Sequence, residues 1–268
     1  MSYEYGFIGT GNMGSALSTG VVKKVDPKKV AATDHSREKS KALADKLGIV
    51  LTDSEDIARH SDYVVLAVKP QVLEDCLKPL QMALQENPNL VIVTMAAGTK
   101  IDTVARYAGK EFPIIRIMPN TPAAVGAGTI LVTRNSKVSN ERFQKFIDDF
   151  SAAGLIVPIS EEKLEAAAVI SGCGPAFVYM FMEAMAKAGE KLGIDAETSA
   201  KLAESTTRGS ALLSELSDED LETLRIRVCS PGGTTIEGVN SLFESDFYGI
   251  VEKALQASYD RTLELLGE

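Results

Sequence analysis

The chain of 268 residues reads as two halves of different class. Residues 1–160 fit an α/β domain built on a doubly wound, mostly parallel sheet, and residues 161–268 fit an all-α domain. Three observations carry this. Up to about residue 158, short apolar runs alternate with helical patterns, as in a sheet whose strands are joined by helical crossovers. Several runs are rich in β-branched residues without polar alternation, which suits strands covered on both faces. From Glu161 onward no convincing strand pattern occurs and long helical stretches take over.

Taken in order, strands are expected at Tyr3–Ile8, Val30–Thr33, Tyr63–Val68, Leu90–Met95, Ile114–Ile117, Thr129–Thr133 and Leu155–Val157. Helices such as Arg37–Leu47 and Asn140–Ala152 lie between them. Thr52 with Glu55 reads as a capping box that opens a short helix before His60. In the second half, helices are expected over Glu161–Leu192, Ala196–Leu216 and Asp246–Leu266. Pro175 should kink or break the first of these, because proline lacks the N–H and crowds the preceding turn. The face of Ile170, Phe177, Met180, Phe181, Ala184 and Met185 is apolar well beyond one stripe, so it should be covered by the domain core or by another subunit.

Bulk composition excludes several classes. Hydrophobic residues make up 45% and charged residues 24%, ordinary for a globular chain. The net charge of -9 argues against nucleic acid as a partner, because phosphate binding needs a basic face. Cys76, Cys173 and Cys229 are too few and too dispersed for a disulfide framework or a metal centre, and a reduced, cytoplasmic location is expected. No signal peptide is expected, and no stretch approaches the ~20 continuous apolar residues of a membrane span.

Two glycine-rich loops, far apart, each open a helical pattern. The first, Gly9-Thr10-Gly11-Asn12-Met13-Gly14, follows the apolar run ending at Ile8. Gly9 permits the tight turn, Gly11 the approach of a pyrophosphate, and Gly14 close packing of helix on strand, so a dinucleotide is expected there. The end of the second strand reads Thr33-Asp34-His35-Ser36-Arg37 and carries both coenzyme signals. Asp34 suits the ribose hydroxyl of NAD, whereas Ser36 and Arg37 suit a 2′-phosphate, or else a helix N-cap and a solvated side chain. Ala67-Val68-Lys69-Pro70 and Ala96-Ala97-Gly98 follow further strands and complete a cofactor rim. The second glycine loop, Ser230-Pro231-Gly232-Gly233-Thr234-Thr235, offers a helix N-terminus suited to a small carboxylate.

Two more loops of unusual composition, Arg116-Ile117-Met118-Pro119-Asn120-Thr121-Pro122 and Ser171-Gly172-Cys173-Gly174-Pro175, complete a pattern over the whole length. With them the chain resembles the pyrroline-5-carboxylate reductases. The resemblance implies a Rossmann domain followed by a helical dimerisation domain, assembled as a homodimer or a higher homo-oligomer of dimers. It implies reduction of the cyclic imino acid 1-pyrroline-5-carboxylate to L-proline, the last step of proline biosynthesis. NADPH is the expected reductant, with NADH as the alternative because of Asp34.

By the same resemblance, the loops at residues 67–70 and 96–98, with Met118 and Asn120, belong to the cofactor site. Ser230, Gly232, Gly233 and Thr234 bind the substrate carboxylate, and the Thr235 hydroxyl faces the ring nitrogen, so Thr235 and Ser230 are the expected catalytic residues. Two positions depart from the family: Cys173 stands where serine is usual, and Asp34 where a neutral residue is usual. The chemistry suits a chain whose two histidines, His35 and His60, both fall in the first half. An imine bound as the iminium needs a hydride and correct orientation rather than a strong general acid.

Three other readings compete. A β-hydroxyacid dehydrogenase shares the plan, but it needs a lysine soon after Gly172 and Gly174, and here the next lysine is Lys187. A non-catalytic dinucleotide-binding paralogue would not need the Ser230–Thr235 loop. Reduction of another cyclic imine, such as 1-pyrroline-2-carboxylate, fits the same residues.

Overall fold

The structure is a computed structural model that describes residues 2–266. Eight strands form one sheet: β1 (Tyr3–Ile8), β2 (Val30–Thr33), β3 (Val50–Leu51), β4 (Ser61–Leu66), β5 (Val91–Thr94), β6 (Ile114–Pro119), β7 (Gly128–Arg134) and β8 (Gly154–Pro158). Their order is β3-β2-β1-β4-β5-β6-β7-β8. Every pairing is parallel except β6 with β7. The expected doubly wound sheet is therefore present, with its order reversing between β1 and β4, where such sheets bind ligands.

Helices α1 (Asn12–Val21), α2 (Arg37–Leu47), α3 (Ser54–His60), α4 (Pro70–Leu77), α5 (Gln81–Glu86), α6 (Ile101–Ala108) and α7 (Asn140–Phe150) connect the strands. Side chains alternate across the sheet and build one core on each face. Phe7, Val65, Val93 and Ile117 meet α1 and α7 residues such as Leu17 and Phe150, and Ile8, Leu66 and Ile92 meet Leu73, Leu77 and Val104. Burial on both faces is why these strands read as unbroken apolar runs.

Three local expectations need correction. β3 was not expected, because two residues leave no periodicity to read. Asp53, not Thr52, caps α3, accepting from Asp56 N–H at 2.8 Å, while the Thr52 hydroxyl donates to the Asp56 carboxylate. β4 ends at Leu66 rather than Val68, which leaves Ala67–Lys69 as a loop.

Helices α8 (Glu161–Ala168), α9 (Gly174–Lys191), α10 (Ala196–Leu216), α11 (Leu221–Val228), α12 (Thr234–Glu244) and α13 (Phe247–Leu266) follow. A π-turn, Val169–Cys173, separates α8 from α9, and Pro175 sits in the first turn of α9. The break expected from Pro175 is thus a wide turn just before it. Residues up to Gly172, with the segment from Tyr259, form one compact unit; Cys173–Ser258 form a second. In the second unit α9 and α10 approach closely at Gly189, where a Cβ would lie 2.8 Å from Ser199 Oγ. Much of the apolar face of α9 is uncovered in the protomer: Met180 is 66% and Phe181 45% exposed. By length and composition alone, the segment Glu161–Lys191 holds an 18-residue window apolar enough to cross a membrane, with mean hydropathy 1.4. No such segment was expected, because Glu161, Glu162, Lys163 and Glu165 obscure the apolar run that starts after them.

Candidate active site

The register of the parallel strands places Thr33, Ile8, Leu66, Thr94 and Arg116 in one row across the sheet. The loops that follow β1, β2, β4 and β5 therefore emerge along one edge, the carboxyl edge where ligands of such sheets bind. The expected cofactor residues of the first unit are all on these loops, on the helix starts they open, or at the end of β6.

The glycine loop is fixed by its neighbours. Gly9 adopts φ +107°, a conformation glycine tolerates, and its N–H donates to Thr33 O at 2.8 Å. A Cβ on Gly9 would lie 2.4 Å from Ala67 O, and one on Gly14 would lie 2.3 Å from Gly9 O. Ala67 is held in turn by its N–H, which donates to Ile8 O at 2.8 Å. Gly11 differs, because a Cβ there would meet nothing within 4 Å. It stands at the N-cap of α1, where no side chain caps the helix. The first-turn N–H groups of α1 are thus left without a side-chain cap, the arrangement that binds a pyrophosphate.

Asp34 is tied back to this loop. Its Oδ2 accepts from Thr10 N at 2.6 Å and from Thr10 Oγ1 at 3.1 Å, and its Oδ1 accepts from Ser36 N at 2.8 Å. Burial alone raises the Asp34 pKa, but the N–H groups of Thr10 and Ser36 outweigh it and hold the carboxyl below its usual range. Ser36 occupies the N-cap position of α2 with no side-chain cap bond. Arg37 is exposed and lines a cavity of about 390 Å³ with Thr33, Asp34, Ser40, Leu51, Thr52 and Asp53.

Farther along the edge, Lys69 is the N-cap of α4 and Pro70 opens it. Ala96 is buried, Ala97 exposed, and Gly98 turns at φ +67°. Met118 is half-buried in β6. Asn120 accepts from Thr129 N at 2.8 Å and donates to Ser171 O at 2.8 Å, so its amide ties the π-turn to the sheet. No separate role is expected from sequence for its neighbour Arg116, which is 1% exposed. Arg116 pairs with Glu165 of α8 at short range and with Glu161 at 3.4 Å. Glu161 also accepts from Ile101 N at 2.8 Å, at the start of α6. The available signal was a lone arginine inside the run Ile114-Ile115-Arg116-Ile117. A charge in a strand covered on both faces requires a buried partner.

In the second unit, the Ser230–Gly233 loop joins α11 to α12. Gly233 N–H donates to Ser230 O at 3.0 Å, and Gly232 takes φ +69°. A Cβ on Gly233 would lie 2.5 Å from Ser230 Oγ, so this hydroxyl stands over the start of α12. No side chain caps α12, and Thr234 and Thr235 form its exposed first turn. Free N–H groups, two threonine hydroxyls and a serine hydroxyl therefore converge on one helix N-terminus.

Comparison with known proteins accounts for both units. The family model described as pyrroline-5-carboxylate reductase dimerisation matches residues 161–265. The one described as NADP oxidoreductase coenzyme F420-dependent matches residues 4–98. The chain is 36% identical to the pyrroline-5-carboxylate reductase of Escherichia coli, covering 99% of each chain. It belongs to the pyrroline-5-carboxylate reductase family. The solved reductase of Coxiella burnetii superposes with TM-score 0.93 at 32% identity, covering 99% of each chain. A Plasmodium falciparum pyrroline carboxylate reductase with NADP bound superposes with TM-score 0.85 at 31% identity, covering 98% of each. The chain is an NAD(P)-dependent oxidoreductase with a helical dimerisation region. The dimerisation match, with the uncovered apolar face of α9, identifies a homo-oligomer.

Proposed function

We propose that this reductase converts 1-pyrroline-5-carboxylate to L-proline, with NADPH as the main reductant and NADH as the alternative. One observation carries the reading: each unit presents an uncapped helix N-terminus behind a glycine loop, one suited to a pyrophosphate and one to a small carboxylate. The family relationship supports it. The first loop fits the dinucleotide because Gly9 and Gly14 admit no side chain while Gly11 opens on free space. Gly9, Thr10, Gly11, Asn12 and Met13 would hold the pyrophosphate, Ser36 and Arg37 the 2′-phosphate of NADPH, and residues 67–70 and 96–98 with Met118 the rim. When bound, the dinucleotide supplies the hydride.

The other steps belong to the chain. The uncapped N–H groups at the start of α12 and the Ser230 hydroxyl hold the substrate carboxylate, and the Thr235 hydroxyl holds the ring nitrogen as a hydrogen-bond partner. Catalysis is then mainly orientation of an already electrophilic carbon. The functional boundary falls at 160/161, where α8 opens, and the working unit is a homodimer or an assembly of dimers in the cytoplasm. Thr235→Ala tests the assignment. Loss of one hydrogen bond to a charged group costs roughly 1.5–3 kcal/mol, or about 10- to 150-fold in kcat/KM. The Kd for NADPH should stay unchanged. Native kcat/KM would remove Thr235 from the reaction, and lost NADPH binding would place the loop in the cofactor site instead.

A further inference from the structure

Resting on the dinucleotide reading above, we propose that Asp34 is a positioning residue of the glycine loop, not the reader of the adenosine ribose. It holds Thr10 in place, and NADH and NADPH depend on it alike. An acidic residue at the end of the second strand ordinarily selects NAD by accepting from the ribose hydroxyls. Here the carboxylate is engaged within the protein. Each carboxylate oxygen has about two acceptor sites. Both on Oδ2 are taken by Thr10, through N–H and hydroxyl, and one on Oδ1 by Ser36 N–H. A single site remains, so Asp34 cannot grip a ribose diol with both oxygens unless the loop lets go.

The loop has reason not to let go. Thr10 is 5% exposed, and 24 residues of chain separate it from Asp34. Its carbonyl accepts from Ser15 Oγ at 2.8 Å, so Thr10 links the end of β2 to the first turn of α1. Gly9 N–H bonding to Thr33 O makes a second tie between the same two segments. Together they aim the free N–H groups of α1, and those groups meet a pyrophosphate that NADH and NADPH share. Among the described residues no carboxylate pairs with Arg37, which leaves a free cation at the same cavity for the 2′ position. Loop order and 2′ selection thus fall to different residues.

The test compares wild type, Asp34→Asn and Arg37→Ala by fluorescence titration with NADH and with NADPH on the same samples. Asp34→Asn is expected to raise both Kd values by a common factor of about ten. The NADH to NADPH ratio should stay within about threefold of wild type, with kinetic losses falling on KM more than on kcat. Arg37→Ala should change the ratio and leave the NADH Kd alone. In the nucleotide-free protein, amide exchange at Thr10 should accelerate in Asp34→Asn and not in Arg37→Ala. Selective loss of NADH in Asp34→Asn would overturn the proposal and make Asp34 a ribose reader. Unchanged Kd values and unchanged Thr10 exchange would overturn it as well. Should Asp34→Asn not fold, Asp34→Ser carries the same comparison, because the ratio of two Kd values is independent of the folded fraction. Wild-type protein that bound neither nucleotide would refute the dinucleotide reading itself.

Discussion

Arg116→Met tests how the start of the helical half is held to the sheet. The guanidinium is 1% exposed, and its partner Glu165 is 8% exposed. Removing the arginine strands the Glu165 carboxylate where water cannot compensate it. Breaking a buried pair in this way costs about 3–5 kcal/mol. Glu161 suffers less, because its side chain is 32% exposed and can hydrate. With a urea slope of ~3 kcal/mol per M, the unfolding midpoint should fall by about 1 to 1.7 M, measured at fixed protomer concentration. The double variant Arg116→Met/Glu165→Met removes both charges and keeps comparable volume, so it should recover most of the loss. A single variant within about 0.3 M of wild type would refute the reasoning, as would a double variant no better than the single.

Three further outcomes follow from the same geometry. Gly14→Ala should lower Tm and weaken nucleotide binding, because its Cβ would lie 2.3 Å from Gly9 O, whereas Gly11→Ala should keep Tm and weaken binding of NADH and NADPH alike. Burial, then the neighbouring Asp149, push the Tyr5 hydroxyl well above its usual range. Its contribution to stability is present below about pH 10 and lost as pH rises further, so Tyr5→Phe should make the alkaline decline of stability shallower. The Asp34 carboxyl is held below its usual range, so its contribution is present above about pH 4 and lost as pH falls. Urea midpoints of Asp34→Asn across pH 3–6 should show a flatter acid decline.

The sheet was legible because its strands are covered on both faces. Tyr3–Ile8, Val30–Thr33 and Arg37–Leu47 begin and end where apolar runs and helical spacing say they should. The two glycine loops were legible as helix openings because glycine, proline and threonine mark such turns. The ties between segments were not legible. The bond of Asp34 to Thr10 spans 24 residues, and pairing over that distance leaves no local pattern. Arg116 with Glu161 and Glu165 spans 45 and 49 residues, and only folding brings them together. Asn120 is a similar case, its amide joining Thr129 to Ser171. The π-turn was foreseen only as a break near Pro175, because a single extra residue in a helical turn leaves the apolar spacing almost intact.

Reductase activity on paired imines tests the central claim most directly. Purified protein is given 1-pyrroline-5-carboxylate or 1-pyrroline-2-carboxylate with NADPH, nucleotide oxidation is followed, and the product is identified by chiral chromatography. The expected result is faster turnover of the 5-carboxylate, with one L-proline formed per NADPH oxidised. No turnover of the 5-carboxylate with either NADPH or NADH, or a higher kcat/KM for the 2-carboxylate, would contradict it.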